Sequence, residues 1–225
     1  MFLTLLISIF VIVCIHQLVS MQKYNMDGFV IHTQDKQEIS TNISLLNPIL
    51  YHHTENFICD KQNILQSLHI NDYQNDTNIR MCNIENNFNK NNFTEIVNIL
   101  QDIIKNPLYY PQYSVNILQG DNILPSKKNI YNLQTISIID GEAVLYLINP
   151  KHSKDIEGKQ SQEIKKWAHK ISVFENNIII IPTNWHYFME TKQKEKTIYL
   201  ENKFSTYFTL PPLRIKEYYY THKSI

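Results

Sequence analysis

A mainly β domain with flanking helices, folded as a jelly-roll sandwich or barrel, is the architecture this 225-residue chain predicts. Three observations predict it. Short runs of β-branched and aromatic residues recur between turn signals from residue 113 onward. Aromatic residues, Tyr foremost, make up 12% of the chain, which favours sheet. Hydrophobic residues reach 43%, enough for a real core in a chain of one domain plus an appendage. Basic and acidic residues balance at 21 each, so charge gives no reason to expect nucleic acid as a partner. Four glycines against many Asn, Ile and Lys fit a coding bias towards A/T-rich codons, which inflates chance matches to any motif containing Asn.

The β domain is expected over residues 113–212. Two segments organise it, Leu133 to Pro150 and Asn176 to Glu190, and both read as hairpins. Asp140-Gly141 is the strongest short turn signal, of the type I′ kind that needs positive φ at both central residues. Candidate strands are 113–118, 133–139, 143–148, 171–174, 178–181, 185–190 and 197–208. A helical insertion from Ser161 to His169, with Ser161 as N-cap, interrupts them. Ahead of the β domain, 60–112 reads as a helical lead-in. Asp60 starts a short helix carrying Ile64, Leu65 and Leu68. Thr94 starts a stronger one with Ile96, Ile99, Leu100, Ile103 and Ile104 at helical spacing, stopped by Asn106-Pro107. Residues 21–59 read as a polar, irregular stalk, and 213–225 as a tail.

Residues 1–20 carry no charge, and their apolar run falls between a signal-peptide core and a full span. No basic residue precedes the run and no small-residue cleavage site follows it. An uncleaved transmembrane anchor is the expectation, with a cleaved signal or a buried helix as alternatives. The domain beyond it is expected to be lumenal or external, although Lys23 and Asp27 give the positive-inside rule almost nothing to count. Asn42, Asn75 and Asn92 head glycosylation sequons. Cys14 lies in the apolar segment. Cys59 and Cys82 are left as one disulfide or as two thiols.

The motif order in the second half resembles the cupin-like domains of the Jumonji-C type, a double-stranded β-helix family of Fe(II) and 2-oxoglutarate dependent oxygenases. Four stretches carry the resemblance: Gly120 to Pro125, Ile138 to Ala143 with the strand ending at Pro150, Asn177 to Pro182, and Pro182-Thr183-Asn184-Trp185. Membrane-anchored proteins of this appearance are also similar to those of large DNA viruses of A/T-rich composition. The resemblance implies a His-x-Asp/Glu pair and a distal His as metal ligands. Counted from Pro125, the first two positions hold Lys127 and Asn129; counted back from Gly141 they hold Asn129 and Tyr131. The distal position holds Tyr187, with His186 one residue early and therefore on the opposite strand face. Ala143 stands where many members bind the cosubstrate carboxylate with a lysine.

These substitutions imply a degenerate site at Lys127, Asn129, Ala143 and Tyr187, with no metal or cofactor. Lys127-Lys128 has two readings, an ammonium in the place of the lost cation or an exposed turn. Trp185, His186 and Tyr131 could line a pocket, while Trp185 and Tyr187 equally suit a core. The function expected is a membrane-anchored, catalytically inactive binding or structural module with an unknown protein or glycan partner. The alternatives are an Fe(II)/2-oxoglutarate oxygenase with a non-standard ligand set including His186, and a carbohydrate or small-molecule binder using the barrel mouth. The run His52-His53-Thr54-Glu55 lacks spaced partners for a metal.

Overall fold

The computed structural model describes residues 2–20, 28–54, 94–104, 109–119, 123–191 and 196–206, with Thr209 and Leu213. Cys59, Cys82, Asn75, Asn92, Glu55, the helix expected after Asp60 and all of the tail but Leu213 lie outside these residues.

Among the described residues ten strands form two facing sheets. In chain order they are β1 (Ile31–Thr33), β2 (Ile49–His52), β3 (Tyr109–Gln119), β4 (Lys127–Lys128), β5 (Leu133–Asp140), β6 (Ala143–Ile148), β7 (Ala168–Val173), β8 (Asn177–Pro182), β9 (His186–Glu190) and β10 (Lys196–Thr206). The larger sheet runs β1-β2-β8-β5-β10-β3 and the smaller β4-β9-β6-β7. Every pairing is antiparallel except β1 with β2. Each strand expected from the sequence is present, with ends shifted by up to four residues.

The two expected hairpins do not exist as hairpins. β5 pairs with β10 and β8, whereas β6 pairs with β7 and β9, so the chain crosses between sheets at Gly141. It crosses again from β7 to β8 and from β8 to β9. Each of these three corners contains a residue of left-handed backbone: Gly141 (φ 82°), Asn176 (φ 66°) and Asn184 (φ 69°). Asn tolerates this region better than other side chains, which fits its use where glycine is scarce. Asp140 has no positive φ, so the corner is not the expected type I′ turn; only Gly141 takes the left-handed backbone there.

The expected stalk is also part of the domain. β1 and β2 join the larger sheet, β2 beside β8 with Ile49 opposite Ile180 and Tyr51 opposite Ile178. The helix between them, α2 (Lys36–Ser44), is capped by the Asp35 carboxylate, which accepts from the Gln37 N–H at 2.8 Å. It buries Ile39. Asn42 lies on α2, where its amide donates to the Glu38 carbonyl. α3 (Thr94–Ile104) buries Ile96, Val97, Ile99, Leu100 and Ile103. Both helices cover the outer face of the larger sheet, where Val115, Ile117, Leu133, Ile178, Ile180, Ile198, Leu200 and Phe204 meet them. A surface groove of about 470 Å³ lies between these helices, lined by Lys36, Gln37, Ser40 and Asp102.

A second core fills the space between the sheets: Ile136, Ile138, Leu145, Leu147, Ile171, Ile179, Ile181, Trp185, Tyr187, Met189 and Tyr199. The segment 150–167 covers the outer face of the smaller sheet through Ile156 and Ile164, packed with Tyr146, Ile148 and Phe188. Its helical part is shorter than expected: Ser161–Ile164 plus a 3₁₀ turn to Trp167, after which β7 begins. Gln160 rather than Ser161 is the N-cap, and its backbone N–H donates to the Glu163 carboxylate at 2.9 Å in a capping box.

Residues 2–20 form the helix α1 (Phe2–Ser20). Leu5, Ile7, Ile9, Phe10, Ile12, Ile15 and Val19 are all exposed on it, with no polar stripe. Among the described residues no helix is long and apolar enough to cross a membrane.

Candidate functional site

Side chains alternate across each strand, so the inner faces of the two sheets can be read from the apolar residues between them. On β10 the inward set is Tyr199, Glu201 and Lys203; on β5 it includes Gln134; on β9 it is Tyr187 and Met189. Three of these polar groups meet. The Tyr187 hydroxyl donates to the Glu201 carboxylate at 2.9 Å. The Gln134 amide donates to the Tyr187 oxygen at 2.5 Å and also to the same Glu201 carboxylate. All three side chains are buried, Gln134 at 1%, Glu201 at 5% and Tyr187 at 7% exposure.

Lys127 completes the cluster. It stands opposite Tyr187 in the β4–β9 register, so the two share the inner face. Burial pulls its pKa down, the Glu201 charge acts in the opposite sense, and Lys203 pulls it down further. Tyr187 is held far above the usual phenol range by burial, and then by the Glu201 charge and hydrogen bond. The same carboxylate, after burial, raises Tyr199. A buried carboxylate thus holds a phenol and an amide and offsets a half-buried ammonium, as a buried charge requires.

Of the residues singled out in the sequence, the structure brings Lys127 and Tyr187 together and separates the rest. Asn129 is wholly buried and ties the chain to the β8–β9 corner. Its N–H donates to the Trp185 carbonyl, its own carbonyl accepts from Asn184 N–H, and its amide spans the Ile181 carbonyl (2.8 Å) and Tyr131 N–H (2.9 Å). Ala143 faces the interior but at the other end of β6, four residues from Leu147, which stands beside Tyr187; that is roughly 13 Å of strand. Trp185 is fully buried in the inner core. Tyr131 packs on Leu213, with the Lys203 ammonium 5.1 Å from its ring. His52 lies 6.0 Å from His32, ring to ring, at the far edge of the larger sheet.

His186 points away from the cluster, as strand alternation requires. It stands opposite exposed Lys128, and its Nε2 lies 3.3 Å from the Ser153 hydroxyl on the outer side of the smaller sheet. Burial, with Lys128 adding to it, lowers its pKa to about 4. The unfolded chain takes up this proton near 6.5 and the folded one only near 4. Stability is therefore full above 6.5 and declines as pH falls towards 4, by about 3 kcal/mol. Replacing His186 by leucine is expected to flatten that part of the curve in urea titrations across the interval; an unchanged slope would contradict it.

On the same outer face Tyr146 stacks on Phe188 at 4.7 Å and donates to Glu190 at 2.7 Å, and Lys165 pairs with Glu190 at 2.9 Å. Burial works to raise the Glu190 pKa, but the bonds from Tyr146 and Lys165 outweigh it and lower the pKa. This group is structural: it seals the 150–167 segment onto the sheet.

Fe(II) is the group implied by the family resemblance, and the interior does not fit it. The cluster supplies one carboxylate, a protonated phenol, an amide that donates and an ammonium that repels a cation, against the two imidazoles and carboxylate of a facial triad. Among the described residues no three His, Cys, Asp or Glu side chains converge. The inner-face His169 sits three strands from Lys127 in the row Lys127, Tyr187, Leu147, His169, exposed and 6.3 Å from the Trp185 ring.

Sequence reasoning missed Gln134 and Glu201. Gln134 is followed by Thr135, and Glu201 by Asn202 and Lys203, so polarity alone singles out neither; the signal was parity: Tyr199, Glu201 and Lys203 recur at period two.

Two sheets, antiparallel but for the β1–β2 pair, whose strands cross repeatedly from one to the other and which helices flank, make a β-sandwich. Comparison with solved structures returns partial likenesses at low identity. A cupin superfamily protein from Desulfitobacterium hafniense DCB-2 matches at 13% identity and TM-score 0.31, over 42% of this chain and 67% of that one. The Schizosaccharomyces pombe Cnp3 cupin domain matches at 16% and 0.33, over 48% and 59%. An oxalate oxidase matches at 12% and 0.32, over 43% and 42%. The chain therefore spans about three-fifths of the Cnp3 domain and less than half of the oxidase. No protein-family model and no curated protein matches the sequence.

Proposed function

We propose that this chain is a membrane-anchored cupin-like binding or structural module that does not act as an Fe(II)/2-oxoglutarate oxygenase. The observation that carries this reading is the inner cluster of Lys127, Gln134, Tyr187 and Glu201, whose hydrogen bonds are satisfied within the protein and whose ammonium takes the role of a cation. A metal in that place would have to displace the Lys127 charge and strip Tyr187 of its proton. Anchoring rests on α1, whose apolar side chains face outward all round, the pattern of a helix meant for an apolar surrounding. The composition suits an A/T-rich genome such as that of a large DNA virus.

The test is metal content and 2-oxoglutarate decarboxylation of the full chain purified in detergent with added Fe(II). The expected outcome is substoichiometric iron and no cosubstrate turnover above a boiled control. Stoichiometric iron with decarboxylation would overturn the reading. Flotation with liposomes, lost on replacing Ile7, Phe10 and Ile12 by serine, checks the anchor.

A further inference from the structure

Basic and acidic residues cancel over the whole chain, yet residues 150–170 carry Lys151, Lys154, Lys159, Lys165, Lys166 and Lys170 against Asp155, Glu157 and Glu163. Two of those carboxylates are already engaged, Asp155 with the His152 ring at 3.2 Å and Glu163 with the Gln160 N–H. Among the described residues only Lys165 of the six lysines forms an ion pair, with Glu190. The other five are exposed. Two of them frame an aromatic ring. The Lys166 ammonium lies 4.2 Å, and that of Lys159 4.6 Å, from the centre of the half-buried Trp167 ring. Lys159 is steadied there by donating to the Asp155 carbonyl.

This face lies where the chain arrives from α1. Ile148 stands opposite Ala168 in the β6–β7 register, so Asn149 and Trp167 leave the sheet side by side. The Asn149 amide donates to the Gly28 carbonyl at 3.4 Å, which brings the start of the domain to the same end. Phe29, next along, is 60% exposed. Only residues 21–27 separate Gly28 from the end of α1, a reach of at most roughly 27 Å. A bilayer that holds α1 is therefore close to Trp167 and its lysines.

We propose that this end of the domain, with Lys159, Lys166 and Trp167 at its centre, docks on a bilayer surface of anionic phospholipid. The proposal rests on the membrane-anchor reading and names the surface that the anchored domain meets. Each lysine brought to such a surface favours the docked state about fivefold. An indole flanked by lysine stems suits the headgroup level, where Trp is enriched and ammonium groups reach water and phosphate. The tether keeps the domain at high local concentration, so a few such contacts are enough. A leaflet rich in anionic lipid usually faces the cytoplasm, the side opposite to the lumenal or external one that the sequence suggested.

Trp167 reports the contact by itself, because the chain has two tryptophans, Trp185 is fully buried and α1 contains none. The experiment reconstitutes the full chain in phosphatidylcholine vesicles doped with an acyl-brominated lipid as quencher, with or without phosphatidylserine. Phosphatidylserine is expected to deepen the quenching about twofold, high salt to reverse the gain and Trp167→Phe to remove it. Lys159→Gln with Lys166→Gln, both on the surface, should lower the ratio of docked to undocked domain about 30-fold. Equal quenching in the two lipids, or an unchanged ratio in the double variant, overturns the proposal. So does a Trp167 response to heparin in solution without one to phosphatidylserine, which would assign the face to a soluble polyanion. Flotation on neutral phosphatidylcholine reports α1 alone. Its failure overturns the anchor reading and leaves quenching by added phosphatidylserine vesicles to decide the docking, so the two readings fail separately.

Discussion

Replacing Glu201 by alanine is expected to cost the domain about 3 kcal/mol, a fall in Tm of roughly 6–12 °C. The carboxylate is 5% exposed, accepts from Tyr187 and Gln134, and faces Lys127 across the barrel. Without it a buried phenol and a buried amide lose their acceptor, and Lys127 and Lys203 repel with nothing between them. Breaking a buried pair usually costs about 3–5 kcal/mol, and the partial exposure of Lys127 places this case at the lower end. Glu201→Gln keeps an acceptor and loses only the charge, so about 1–1.5 kcal/mol is expected. Removing both charges, Lys127→Met with Glu201→Leu, should recover much of the alanine loss, because apolar replacements of buried pairs are often neutral. Urea titrations of the four proteins check the series. A Glu201→Ala variant within about 1 kcal/mol of the parent would show that the cluster is not coupled by charge.

Gly141→Ala should be as damaging for an unrelated reason. The residue sits at φ 82°, and a Cβ built there would lie 2.2 Å from the Lys196 carbonyl oxygen. The left-handed backbone costs alanine about 1–2 kcal/mol, and the obstructing atom is main chain and cannot rotate aside. Thr197 donates its hydroxyl to the Glu142 carbonyl across the same contact, so any relief must part the β5–β6 corner from β10. A loss of about 3 kcal/mol or more is expected. Asn184→Gly, at φ 69°, should by contrast be tolerated or slightly stabilising. Thermal melts of the two variants side by side test whether these corners are set by backbone conformation; equal behaviour would contradict it.

The strands were legible because Ile, Val and Tyr runs with turn residues at their ends identify themselves; β6 was read to the residue. Their partners were not legible. Asp140-Gly141 looks the same whether the next strand folds back on its neighbour or crosses to the opposite sheet, and only long-range pairing decides. The segment 28–52 was misread because its signals are short: β1 has three residues, and α2 buries Ile39 fully and little else. Its strands are stabilised by β8, more than 120 residues away. The site was half legible. Lys127 and Tyr187 could be placed by counting from Pro125 and Pro182, but Gln134 and Glu201 show their role only once it is known which way β5 and β10 face.

β8 owes one whole side of its hydrogen bonding to residues 49–52, and this sets where the polypeptide can be cut. An engineered start codon between positions 53 and 93 would free three consecutive isoleucines, Ile178 to Ile180, along an open sheet margin. Such a margin is a template for its own kind, so the shortened protein should self-associate where the intact one does not. The amino-terminal quarter thus acts as a built-in guard against aggregation.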